Sequence, residues 1–300
     1  VKRASKDTLA GRRYLDLQRE AKRSGRPTDE LIQLYALECF LDRLVHSEFA
    51  DTFILKGGVL LAALDARRPT RDIDFAVRVF ENSAEKVLSA VRTIAAIPLD
   101  DGMTFDSSGA AAEAIREEDS YSGIRVTLGG TLSRAVVRFH VDVNVGDPIW
   151  PEPQQISLPR LIDGAISVRG YPLEMVLAEK IVTALERGTV NTRWRDFVDI
   201  YVLIRRYRID AQTLQKSMQR VARFRSVVLT PLRAALAGYA EIAQPRWVAW
   251  LRKQRLDNTI PTEFSKVLQS VVSFVDSLIE GDEAPSTWDP VEGKWIGVRG

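Results

Sequence analysis

The chain of 300 residues has one cysteine, Cys39. A single thiol cannot build a disulfide framework, and its use fits a reducing compartment. Its surroundings, LECFL, are apolar at helical spacing, which predicts a buried structural thiol and not a nucleophile. No run approaches the ~18 apolar residues of a membrane-spanning helix. The first residues, VKRASKDTLAGRRY, hold no apolar core of a secretory signal. A cytoplasmic protein without membrane association is expected. No internal repeat is present. Net charge is only +2, with 45% hydrophobic and 27% charged residues, which describes a globular chain long enough for one large domain or two ordinary ones.

What is there is uneven in charge. From Arg205 to Arg255 twelve Lys or Arg stand against two acids, Asp210 and Glu241. Such local excess is the footprint of a polyanion-binding face, or a solvated helical surface whose acids lie elsewhere in the fold.

The richest stretch is FILKGGVLLAALDARRPTRDIDFAV, residues 53 to 77. It reads as strand, glycine turn, short helix, turn, strand. Gly57 and Gly58 let backbone N–H groups approach a phosphate without a β-carbon in the way, and the helix that follows directs its positive end to the same place. In RDIDFAV side chains alternate, so Asp72 and Asp74 share one face while Ile73 and Phe75 pack inward. Two such carboxylates suit a Mg²⁺ ion completed by substrate phosphates. The competing reading is a plain strand face with salt bridges to Arg71 or Arg78. Arg71 is equally a candidate phosphate contact.

Around this stretch the chain reads mostly as helix and strand. Residues 8 to 24 predict a basic helix ending near Gly25 and Pro27. Thr28 is the expected cap of an amphipathic core helix that carries Leu31, Leu34, Tyr35, Leu37, Phe40, Leu41 and Leu44. His46, near its end, reads as a surface or capping residue. Residues 81 to 97 predict another helix, and 100 to 120 short irregular pieces. SGIRVTLGGTL predicts a hairpin turning at Gly129-Gly130. AVVRFHVDVNVGD alternates most regularly of all, with Val137, Phe139, Val141, Val143 and Val145 on one face and Arg138, His140, Asp142 and Asn144 on the other. Such a strand belongs inside a sheet. A carboxylate there needs a partner, and a metal is the economical one for Asp142; His140 could assist it or be structural. Proline-rich residues 146 to 160 mark a crossing, with a boundary near 165. Two parts are expected: residues 1–165 as a core with N-terminal helices, and 166–300 as a mainly helical lobe. In the lobe, Lys180 and Arg187 lie on one helix. Trp247 and Trp250 read as core, and Trp288 and Trp295 as possible anchors of the Gly-, Pro- and acid-rich tail.

Together YALECFLDRL (35–44), FILKGGVLL (53–61), TRDIDF (70–75), AEKIVTALERG (178–188) and RWRDFVDIYVL (193–203) resemble the AbiEii family of nucleotidyltransferase toxins, over roughly residues 30 to 205. The KGG, DxD, lysine helix and RxRDxxD segment in this order are specific in combination. The resemblance implies an α/β (α+β) fold, a minimal polymerase-β-like nucleotidyltransferase core with a mixed sheet joined to a C-terminal helical lobe. It implies a growth-inhibiting toxin that moves a nucleotide from an NTP to an acceptor such as the 3′ end of tRNA, releasing pyrophosphate, with a cognate antitoxin as partner. One departure stands out. The wider superfamily has Gly-Ser before its DxD; here Val59 follows Gly58, so backbone amides must replace the serine hydroxyl.

On this resemblance Asp72, Asp74 and Asp142 hold Mg²⁺ in two-metal logic. Lys56, Gly57, Gly58, Arg71 and Arg193 contact the nucleotide. Lys180 offsets phosphate charge as the transition state forms. Asp196 matches a family motif position and would orient Lys180 or Arg193. The rivals are a DxD glycosyltransferase, for which too little chain precedes the DxD, transfer to a protein or small molecule, and a catalytically inactive nucleic-acid- or partner-binding protein.

Overall fold

In the computed structural model, which describes residues 5–67, 69–78, 83–116, 122–281 and 286–297, the chain divides into two units. One comprises 1–147 with 153–171, the other 148–152 with 172–300. The sequence places its boundary near 165; the division falls after Tyr171 because residues 154–170 fold back into the first unit's sheet. Among the described residues no helix is long and apolar enough to cross a membrane.

The first unit opens with α1 (Leu9–Ser24), whose Thr8 hydroxyl accepts from the Gly11 N–H at 3.1 Å and which stops at Gly25 in the left-handed region. In α2 (Thr28–Val45) the cap position belongs to Pro27, and Thr28 is already helical. Proline's locked φ starts the helix here without a side-chain bond. His46 ends α2, exposed, and Cys39 is buried within it. Then come β1 (Ile54–Lys56), α3 (Gly57–Leu60) with a 3₁₀ turn over Leu61–Leu64, β2 (Asp72–Val77) and α4 (Ala84–Ala96). The predicted helix over 81–97 thus begins at Ala84 among the described residues; 81 and 82 lie outside them. The strands β3 (Met103–Arg116), β4 (Ser122–Leu132), β5 (Ala135–Val145), β6 (Gln154–Pro159) and β7 (Ala165–Gly170) complete a seven-stranded mixed sheet of order β3-β4-β5-β2-β1-β7-β6. Pairs β2/β5 and β1/β7 are parallel and the others antiparallel.

Three expectations fail here for stated reasons. Residues 103–116 are not irregular but a strand: paired to β4, they gain from the ladder what their Ala, Gly and Ser lack in β preference, with a bulge between Asp106 and Ala111. Residues 117–120 lie outside the described ones. Gly129 and Gly130 do not turn; they lie within β4, and a β-carbon on Gly130 would come 2.8 Å from Met103 Cε and 2.9 Å from Phe105 Cδ1. The turn comes later, where Ser133 adopts φ 54. Residues 154–170 form the β6/β7 hairpin instead of a mere crossing. Proline is tolerated there because β6 is an edge strand and Pro159 ends it.

Helices α2 and α4 cover one face of this sheet. Phe40 of α2 meets Phe105 and Phe139 edge-on at 6.2 and 5.9 Å, and Ile73, Phe75, Val141 and Val143 are fully buried on the same side. Each such side chain contributes about 1.5–3 kcal/mol. The opposite face carries the charged members of β2 and β5, as alternation requires.

The second unit contains α5 (Leu173–Arg187), α6 (Trp194–Ile204), β8 (Ile209–Asp210), α7 (Ala211–Phe224), α8 (Leu232–Ala235), α9 (Tyr239–Gln254), α10 (Phe264–Glu280), β9 (Ser286–Asp289) and β10 (Lys294–Gly297). Trp247, Tyr239, Phe197 and Phe264 form its aromatic core, with ring centroids 4.8 to 5.9 Å apart. Trp250 stacks on Trp247 at 5.5 Å. The tail, described over 286–297, is a hairpin whose β9 pairs with β8. Trp288 donates to the Ile204 carbonyl at 2.6 Å, and Trp295 donates to that of Phe274 at 3.0 Å and stacks on its ring.

Candidate active site

Strand β2 presents Asp72 and Asp74 on the polar face of the sheet, each partly exposed. Antiparallel pairing sets Lys56 of β1 opposite Asp74, so the chain turns into α3 directly beside that carboxylate. Gly57 makes the turn with φ 66, and a β-carbon there would lie 1.9 Å from Asp74 Oδ2. Glycine is required twice over, by backbone conformation and by the carboxylate against it. Gly58 follows, buried in α3. The short helix is one α-helical turn, α3, continued by the 3₁₀ turn over Leu61–Leu64, so its dipole adds little and the phosphate cradle depends on individual amides.

Parallel pairing of β2 with β5 sets Asp72 beside His140 and Asp74 beside Asp142. Asp142 has a protein partner. Arg125 of β4, opposite it in register, binds it through Nε–Oδ1 at 2.8 Å and Nη2–Oδ2 at 2.7 Å. Sequence reasoning sought a metal as the partner of this carboxylate and did not foresee the guanidinium that reaches it across the strand pair. That bidentate bond, with the fields of Asp142, Asp72 and Glu113, holds Arg125 above its ordinary pKa and so firmly charged. His140 Nδ1 lies 2.9 Å from Asp72 Oδ1. Lys56 pairs with Asp147 at 2.9 Å, both buried, and stands 5.7 Å from the Tyr171 ring centroid. Arg71 precedes β2 with an exposed side chain, while its carbonyl accepts from the His140 N–H at 3.4 Å.

The second unit holds a separate charge cluster. Lys180 of α5 donates to Asp196 Oδ1 at 2.8 Å and Asp199 Oδ2 at 2.7 Å, both on α6. Arg193, partly exposed, lies 2.9 Å from Asp196 Oδ2. The carboxylates are almost wholly buried and Lys180 nearly so. Two acids three residues apart on one helix face thus share one lysine across a helix–helix contact.

Two hard carboxylates on one strand face suit a small oxygen-seeking divalent ion whose other ligands are phosphate oxygens. Among the described residues no three His, Cys, Asp or Glu gather as a metal site, and Asp142 is engaged by Arg125. The donor set therefore fits as a pair, Asp72 and Asp74.

Sequence reasoning did not assign roles to Arg125, Asp147 or Asp199. Arg125 carried a signal, since SGIRVTL alternates and puts it on the polar face. Asp199 sits at the last position of RxRDxxD. Asp147, in a loop after β5, carried none.

The family model for nucleotidyl transferase AbiEii toxins of type IV toxin–antitoxin systems matches residues 39–271, which spans both units. Among solved structures, MenT4, a nucleotidyltransferase toxin from Mycobacterium tuberculosis, superposes with a TM-score of 0.56 at 16% identity, covering 94% of this chain and 91% of its own. A nucleotidyltransferase structure from H. pylori gives 0.49 at 16% identity, over 84% and 96%. No curated protein matches. MenT4 supports the fold, a mixed sheet with helices, and the family match goes further: the chain belongs to the AbiEii family of nucleotidyltransferase toxins.

Proposed function

We propose that the protein transfers a nucleotide from an NTP to the 3′ end of a tRNA, with Mg²⁺ bound and pyrophosphate released, and that this arrests growth unless an antitoxin opposes it. The observation that carries this is Gly57 fitted onto Asp74, with Asp72 on the same strand face. A backbone able to approach phosphate is thereby fixed beside two ion-binding carboxylates. When bound, the ion offsets triphosphate charge and polarises the reacting phosphoryl group. Asp72 and Asp74 hold it, His140 orients Asp72, and Asp142 is the third carboxylate of the same face. Gly57 and Gly58 offer backbone amides to phosphate, with Arg71 as an outer contact. Lys56, tied to Asp147, fixes the strand end from which the turn departs.

Lys180 serves the same transfer as a counter-charge to phosphate. Asp196 and Asp199 hold its ammonium, and Arg193 is a further nucleotide contact. The family match over both units supports a role for this second cluster. RNA as acceptor is supported by α7, which contains no acid and exposes Lys216, Arg220 and Arg223 along one side. Trp150, beneath the Arg220 guanidinium at 4.5 Å, adds an aromatic surface to that side.

The test is incubation with total RNA, Mg²⁺ and each labelled NTP in turn, beside Asp72→Asn. Label on a small RNA from one NTP, reduced at least ~10²-fold in the variant, is expected. No labelled RNA with any NTP, or transfer by Asp72→Asn at the parental rate, would overturn the reading. Label on protein instead would reassign the acceptor.

A further inference from the structure

Asp142 neighbours Asp74 in register and has the position of a third metal ligand, yet both of its oxygens are bound by Arg125. Bidentate guanidinium–carboxylate pairing is among the stronger and more directional side-chain contacts. Asp142 is itself only 8% exposed, so few of its lone pairs remain open to another ligand. Arg125 is the freer partner, its side chain 32% exposed at the edge of the pair. Glu113 of β3 stands opposite it in register on the far side, so anions flank it on both sides. Three carboxylates on adjacent strands repel unless a cation lies among them. Here the Arg125 guanidinium lies among them.

We infer that Arg125 gates Asp142: without substrate the site offers an ion only Asp72 and Asp74, and Asp142 joins a second ion only when the triphosphate draws the guanidinium away. A triphosphate carries more charge than one carboxylate and presents the same paired oxygens to a guanidinium. Ion binding at the second position is thereby coupled to nucleotide binding, and Arg125 changes partner without making or breaking a covalent bond. Arg125 is in this sense a positioning residue. The inference rests on the nucleotidyl-transfer reading of the same carboxylates.

The experiment is Mn²⁺ titration followed by the EPR signal of the free ion, with and without a non-hydrolysable NTP analogue. The proteins are the parent, Arg125→Gln, Arg125→Lys and the Arg125→Gln/Asp142→Asn double variant. The parent is expected to bind one ion alone and a second only with the analogue. Arg125→Gln is expected to bind the second ion without the analogue, at least about tenfold tighter than the parent does. The double variant loses that gain. Arg125→Lys keeps the charge but cannot grip both oxygens, so it falls between, and it preserves the test if Arg125→Gln does not fold. Two ions in the parent without nucleotide, or Arg125 variants that titrate as the parent does, overturn the gate. RNA labelling by the parent in that case leaves the nucleotidyl-transfer reading standing, so the two failures are distinguishable.

Discussion

Gly57 abuts Asp74 so closely that a β-carbon on residue 57 would fall 1.9 Å from Oδ2 and 2.5 Å from Cγ of the aspartate. The turn and the ion-binding strand are therefore one object. Gly57→Ala must either move Asp74 or open the turn, and its φ of 66 adds about 1–2 kcal/mol of backbone cost. Nucleotide transfer should fall as far as in Asp74→Asn, with a lowered melting temperature that Asp74→Asn lacks. Parental transfer by Gly57→Ala would show that Asp74 does not need its present place.

Lys180 sits between two buried carboxylates, and its removal is not structurally silent. Lys180→Ala removes the ammonium that both buried carboxylates share, a loss of about 3–5 kcal/mol for a broken buried pair. Denaturant titration should show this. Adding Asp196→Asn and Asp199→Asn to Lys180→Met should restore most of the stability and none of the transfer. Recovery of transfer in that triple variant would make the cluster purely structural.

Part of the basic excess is internally paired: Arg208 with Asp289, Arg225 with Glu186, and Arg233 with Asp276 and Glu280. Lys216, Arg220 and Arg223 make no ion pair among the described residues. Changing all three to Glu should weaken RNA binding and flatten its dependence on salt by about 2 in log–log slope, at ~0.7 per single-strand phosphate. Filter binding across a salt series measures it. An unchanged slope returns α7 to an ordinary solvated face.

Asp289 closes the tail turn by accepting from the Glu292 and Val291 N–H groups, which, with Arg208, hold its carboxyl below the usual range. A depressed folded pKa contributes stability that is present above the unfolded value and lost as pH falls through the folded one. Asp289→Ala should therefore melt earlier than the parent at neutral pH. The difference should narrow as the pH falls through and below the ordinary carboxylate range, as the parent's own carboxylate protonates. A gap independent of pH would assign the effect to packing of the hairpin alone.

Local pattern was a good guide where one element decides its own character. The alternation of RDIDFAV placed Asp72 and Asp74 on one face and Ile73 and Phe75 on the other, and the structure has them so. The run around Asp142 reads as an internal strand, and β5 lies between β4 and β2. Pattern was a poor guide where a neighbour supplies the order. Residues 103–116 have little intrinsic β preference and become a strand because β4 pairs with them. Residues 154–170 hide a hairpin behind their prolines. The tail tryptophans read as anchors, but only packing shows Trp288 and Trp295 gripping α10 through Phe274.

From its residues alone this chain commits to a glycine turn beside an Asp-x-Asp strand, a basic helical segment and a lysine helix followed by RxRDxxD, because backbone permissiveness, side-chain alternation and local charge are properties of neighbours in sequence. Tertiary structure alone decides which basic side chain meets which carboxylate. Arg125 reaches Asp142, His140 reaches Asp72, Lys56 reaches Asp147, and Lys180 bridges Asp196 and Asp199. Those partners are set by strand register and helix packing. The backbone hydrogen bonds that hold a register are alike for every residue, so no local pattern announces which side chains will come to face each other.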